Sequence, residues 1–111
     1  MKFSESLKKN KDFQLVYKTG RSAANKYLVM YVLRTERETN RIGISVNKKT
    51  GNSVVRHRLK RQLLESYRLR ETSFDRGLDI IIIARPGAKE RDFFELERAM
   101  LHLSDKLKIR I

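Results

Sequence analysis

The chain has 111 residues, with 26 lysines and arginines against 13 aspartates and glutamates, no cysteine, and a formal net charge of +13. That length fits one domain around one core, and the missing cysteines remove disulfides, thiolate chemistry and cysteine-held zinc together. No run approaches the roughly 18 apolar residues needed to cross a bilayer, and the start MKFSESLKKNKDF lacks the apolar segment of a secretory signal. A cytoplasmic protein with no membrane partner is expected, and the charge points to a polyanion, nucleic acid first among them.

The charge is concentrated. Residues 1–34 have 8 basic and 2 acidic groups and residues 48–70 have 8 and 1, while residues 35–47 and 71–111 balance at 2 and 2 and at 8 and 8. An ordinary solvated surface mixes its signs, as the last third of the chain does.

In chain order, KDFQLVYKTG (residues 11–20) reads as a helix that Asn10 can cap, with Asp12 in its first turn and Gly20 marking its end before a turn. Phe13, Val16 and Tyr17 share one face of it. KYLVMYVL (26–33) is rich in aromatic and β-branched residues and reads as a strand covered on both faces. The charged RTERETN reads as a hairpin connection to a second strand, RIGISVN. There Ile42, Ile44 and Val46 point one way, while Arg41, Gly43, Ser45 and Asn47 form a small, polar face open to a ligand.

KKTGN is a turn containing Gly51, and Asn52 or Ser53 can cap a helix that reaches about Arg70. LDIIIIA (78–84) suits a central strand buried on both faces and ends at Pro86 and Gly87. Phe93, Leu96, Met100, Leu103 and Leu107 then recur at helical spacing, a core stripe. The order helix, strand, strand, helix, strand, helix predicts an α/β (α+β) two-layer sandwich around a small mixed sheet, one domain spanning residues 1–111.

The helix VVRHRLKRQLL carries the strongest functional signal, because from Thr39 to Leu64 there is no carboxylate. At about 100° per residue, Arg56, Lys60, His57, Arg68, Arg61 and Arg58 fill one half of the helix, and Val55, Leu59 and Leu63 the other. A solvated helix face usually pairs Glu with Lys four residues apart, whereas Arg56 and Lys60 repel. A ligand that supplies negative charge accounts for that tolerance, and the excess of Arg favours forked contacts to phosphate. Lys48, Lys49 and the free N–H groups at the helix start extend the site. KKTG itself lacks the glycine spacing of a nucleotide-binding P-loop.

Phe13 and Tyr17, four apart on the first helix, and Tyr31 on the next strand can converge on the open face of RIGISVN, where bases stack on aromatic rings. The alternative, that these rings are simply core, stays open at the level of sequence. Catalytic machinery is not legible: the carboxylates lie mainly after residue 64, His57 and His102 fall on different helices, and Asp92 with Glu95 lacks further ligands for a metal. The expectation is a binder of RNA or DNA with no catalytic residue and no metal site of its own. A general RNA-binding module, a DNA-binding protein with a major-groove helix, and an independent metal nuclease are the rivals.

GNSVVRHRLKRQL, with the preceding SVNKK, resembles the signature of the bacterial ribonuclease P protein subunit, in which Gly-Asn-x-Val-x-Arg-Asn-Arg-x-Lys-Arg follows Ser-Val-x-Lys-Lys. The resemblance extends from LKKNKDFQLVYKTG through KYLVMYVL to DIIIIARPGA and the last helix. It implies an accessory subunit that joins a catalytic RNA and helps it remove the 5′ leader of precursor tRNA. In that enzyme Mg2+ is held mainly by the RNA and substrate, and no obligate protein partner is evident. It also implies an α/β sandwich with a left-handed β-α-β crossover. By matched position Phe13, Tyr17 and Tyr31 line a leader cleft floored by Ser45 and Asn47. Lys48, Lys49, Arg56, Arg58, Lys60 and Arg61 match its conserved basic region, and with Asn52, His57 and Arg68 of the same helix they are expected to face RNA. Two positions depart from the pattern: His57 stands where the signature has Asn, and Leu64 where an Arg is usual.

Overall fold

A computed structural model describes all residues from Met1 to Ile111. Strand β1 (Ser4–Ser6) precedes helix α1 (Asn10–Thr19); strands β2 (Arg21–Ala24), β3 (Leu28–Arg34) and β4 (Asn40–Val46) follow. A 3-10 turn at Lys48–Thr50 then leads to α2 (Ser53–Arg70), strand β5 (Leu78–Ala84) and α3 (Phe93–Lys106). The expected sandwich with its mixed sheet is present, and two short edge strands extend the expected order. SES and RSAA are too short and too polar to show a strand period, and both pair only along one side, at the ends of the sheet order β1-β4-β5-β3-β2.

The expected hairpin between β3 and β4 does not form. β5 lies between them, antiparallel to β3 and parallel to β4. Its apolar run is buried along almost its whole length and takes the central place. The charged connection instead crosses over the start of β5. Thr35 N–H donates to the Gly77 carbonyl at 2.7 Å. Gly77 adopts φ 79°, and a Cβ there would stand 2.6 Å from the Arg37 carbonyl oxygen. Only glycine accommodates both the left-handed backbone and the passing chain. β4, α2 and β5 make up the parallel crossover unit that the resemblance anticipates.

α1 begins at Asn10, which is therefore inside the helix; the capping position falls on Lys9, whose side chain makes no capping bond. No turn follows Gly20, whose backbone is extended and runs straight into β2. The start of α2 is capped by Asn52, whose amide oxygen accepts the Val55 N–H at 3.0 Å.

The main core joins α2 and α3 to one face of the sheet. Leu59, Leu63 and Tyr67 from α2 and Leu96, Met100 and Leu103 from α3 meet Leu28, Met30, Val32, Ile42, Ile80 and Ile82, all buried. This is the apolar half of α2 that its periodicity anticipates. A smaller cluster on the opposite face consists of Leu7, Val16 and Ile81, with Phe13, Tyr17, Tyr31, Leu33 and Ile83 packed partly against it. α1 therefore lies across the second face but does not seal it.

Buried polar groups bind the amino-terminal end and the start of β5 to this frame. Asn40 donates to the Tyr67 hydroxyl and to the Asp75 carbonyl, and accepts from the Leu78 N–H. The carboxylate of Glu71 accepts the N–H groups of Lys2 and Phe3.

Candidate nucleic-acid interface

Strand register sets the floor of the cleft. On the face turned away from α2 and α3, Tyr31 of β3, Ile81 of β5 and Gly43 of β4 stand in one row across the sheet. Val29, Ile83 and Ser45 form the next row, and Leu33, Asp79 and Arg41 the one on the other side. α1 crosses this face with Val16 buried beneath it. The Phe13 ring rests on Gly43, where a Cβ would come within 2.6 Å of it.

Tyr17 meets Tyr31 edge to face, with ring centroids 5.0 Å apart, and stands 6.3 Å from Phe13. All three rings are partly exposed. Burial, with a smaller contribution from neighbouring Tyr31, pushes the Tyr17 hydroxyl above its ordinary range, so it stays a neutral hydrogen-bonding group. Sequence reasoning brought these three rings and Ser45 together. It did not place Val29, Ile81 and Ile83 in the cleft, where they give the floor its apolar character; the continuous apolar run LDIIIIA shows a strand buried on both faces, but only the strand order shows which residues lie beside the rings.

At the end of β4 the cleft passes directly into the basic surface. Ser45 is separated from Lys48 by Val46 and Asn47 alone, and Asn47 turns the chain by accepting the Lys49 N–H at 2.9 Å. Lys48, Lys49, His57, Lys60 and Arg61 are exposed, and Arg56 and Arg58 are partly so. None of these seven belongs to any of the eight ion pairs of the structure. Arg58 is oriented by protein groups, donating to Gln62 Oε1 at 3.1 Å and to the Lys89 carbonyl. Arg68 stands apart from this set: it is two turns beyond Arg61 and pairs with Glu65.

Most of the carboxylates are engaged elsewhere. Asp75, Asp79, Glu97 and Asp105 pair with Arg34, Arg37 and Arg41, Arg70, and Arg110. Asp92 and Glu95 form the capping box of α3. His102 lies beside Asn25, its Nδ1 3.2 Å from the Asn25 amide, and shares no site with His57. No group of three or more His, Asp or Glu side chains comes together as a metal site. No helix is long and apolar enough to cross a membrane.

Fold and surface together define a class: a small α+β protein in which an aromatic cleft on one sheet face opens beside a helix with unpaired cations. Comparison with known proteins specifies it further. A model of the ribonuclease P protein family matches residues 1–108. The ribonuclease P protein component of Lachnoclostridium phytofermentans is 55% identical over 106 residues, covering 96% of this chain and 91% of that one. That of Alkaliphilus metalliredigens is 51% identical, with 98% of each chain covered. The solved structure of the Staphylococcus aureus ribonuclease P protein superposes with a TM-score of 0.88 at 35% identity over 98% of each chain. The Thermotoga maritima protein superposes at 0.81 and 30% identity, over 87% of this chain and 92% of that one. The chain belongs to the ribonuclease P protein family.

Proposed function

We propose that the chain is the protein subunit of ribonuclease P, which joins a catalytic RNA and assists it in removing the 5′ leader of precursor tRNA. The observation that carries the reading is the continuity of β4. Its residues floor an aromatic cleft and then deliver the chain, within three residues, to Lys48, Lys49 and the unpaired cations of α2. A strand of nucleic acid lying in the cleft is thereby kept beside the surface that meets the RNA.

Each surface has its own physical task. Lys48, Lys49, Arg56, His57, Arg58, Lys60 and Arg61 neutralise phosphates and release counterions, with Asn52 and the N–H groups at the start of α2 adding donors. Phe13, Tyr17 and Tyr31 offer rings for stacking, and Ser45 and Asn47 offer hydrogen bonds at the floor. Stacking needs unpaired bases, so the cleft selects a single-stranded leader over duplex. The hydrolytic chemistry, water activated by Mg2+ held mainly by RNA and substrate, belongs to the partner; the protein binds and orients.

The test is a precursor tRNA with a photoreactive uridine in its leader, irradiated in the assembled complex. Crosslinks to the peptide containing Phe13 and Tyr17 or to that containing Tyr31 support the reading. Crosslinks confined to α2, or none above those of a leaderless tRNA, leave a general RNA-binding protein.

A further inference from the structure

At one end of the cleft floor, Arg41 and Asp79 belong to a group of charges that pair with one another. Arg41 donates from Nε to Asp79 Oδ1 at 2.9 Å and from Nη2 to Asp79 Oδ2 at 2.7 Å, and its Nη1 donates to Asp12 Oδ2 at 3.1 Å. Arg37 reaches Asp79 from the connection between β3 and β4. The Asp79 side chain is 3% exposed and those of Arg41 and Asp12 are each 20% exposed, so this assembly is shielded where most surface ion pairs are not.

The three residues belong to three elements. Arg41 and Asp79 are register partners on β4 and β5, which makes their forked pair part of the sheet. Asp12 is on α1, directly before Phe13 and five residues before Tyr17. α1 has little else to fix it: it is ten residues long, only Val16 is fully buried, and its first residue follows an uncapped Lys9. A helix so short depends on tertiary contacts for its placement. Of those contacts, the bond from Arg41 is the directional one, and it acts one residue from the ring that rests on Gly43.

We propose that Arg41 is a positioning residue for the cleft: held from below by Asp79, it grips Asp12 and sets α1 so that Phe13 and Tyr17 face Tyr31 at the spacing a single-stranded leader requires. The inference rests on the leader-binding reading above. It distinguishes the Arg41 group from a purely stabilising ion network, which would affect all forms of the protein's activity alike.

Asp12→Asn takes the charge out of the grip on α1, leaving only a neutral acceptor in place of the charge-assisted bond, and keeps the Arg41 to Asp79 pair intact, so the sheet is retained. The measurement is the affinity of the holoenzyme for a precursor tRNA bearing a leader of several nucleotides, divided by its affinity for the same tRNA with a mature 5′ end. Asp12→Asn is expected to lower this ratio by about fivefold or more, the worth of one impaired base stack, with affinity for the mature tRNA unchanged. Because the substitution raises the net positive charge, simple electrostatics predicts the opposite direction. Asp12→Glu restores the ratio, and Arg41→Lys, which lacks the fork to span both carboxylates, lowers it. A full ratio in Asp12→Asn, or an equal loss for both tRNAs, overturns the proposal. A ratio of one in the unsubstituted protein instead overturns the leader-binding reading itself, independently of Arg41.

Discussion

The Phe13 ring lies on Gly43 with no room between them for a side-chain carbon: a Cβ at residue 43 would stand 2.6 Å from Phe13 Cζ. Gly43→Ala therefore has to lift the ring or tilt α1. Overpacking of this kind costs about 1–3 kcal/mol, and the cleft absorbs it because α1 is the movable side. The expected outcome is weaker binding of leader-bearing tRNA with unchanged affinity for the catalytic RNA, read by titrating each separately. Phe13→Ala should act in the same direction by removing the ring.

The unpaired cations of α2 predict a steep dependence on salt. Affinity for the catalytic RNA should fall linearly on a double-logarithmic plot as salt rises. Lys60→Ala and Arg61→Ala should each reduce the slope by about one. Arg68→Ala should change the slope less, because Glu65 already occupies that guanidinium. Nitrocellulose or fluorescence titrations over a range of salt concentrations check all three.

Glu71 predicts how the amino-terminal strand responds to acid. Its carboxylate is buried, which alone would push it up. The N–H groups of Lys2 and Phe3, which donate to it, together with the nearby Ser4 hydroxyl and the terminal ammonium, outweigh burial and hold it below the ordinary range. The folded value is thus the lower one. Its stabilising contribution is complete above the unfolded value of about 4.3 and is lost as pH falls through the folded value. Glu71→Gln should cost about 1–3 kcal/mol at neutral pH, and the difference from the unsubstituted protein should shrink in acid. Urea midpoints for both proteins at pH 7 and under acid conditions give the comparison.

Gly77 predicts a purely structural effect. At φ 79° with the Arg37 carbonyl overhead, Gly77→Ala combines backbone strain with a clash and should lower stability by about 1–3 kcal/mol. The salt slope for RNA binding should not change, since the crossing lies at the opposite end of β5 from Lys48. Thermal unfolding and the same titrations separate the two effects.

Much of this was legible along the chain. The apolar half of α2 is the half that docks, because Val55, Leu59 and Leu63 recur at a period that depends only on local geometry. The rings of Phe13, Tyr17 and Tyr31 could be brought together for the same reason, each lying on a recognisable element. Strand order was not legible. RTERETN has the composition of a hairpin turn, and nothing local says that β5, more than thirty residues later, will insert beside it; that is decided by which strand has both faces apolar. The polar edge strands β1 and β2 owe their conformation to backbone pairing with β4 and β3 and leave little trace in side-chain pattern. The Arg41 group was hidden for a related reason, since Asp12, Arg41 and Asp79 are far apart in sequence and become neighbours only through the register of β4 on β5 and the packing of α1 across that face.

The decisive measurement is cleavage of a 5′-labelled precursor tRNA at low Mg2+ by the protein alone, by a bacterial ribonuclease P RNA alone, and by the two together. Cleavage at the mature 5′ end that requires both components is the predicted result. Cleavage by the protein alone, or no stimulation of the RNA despite tight binding, would contradict it.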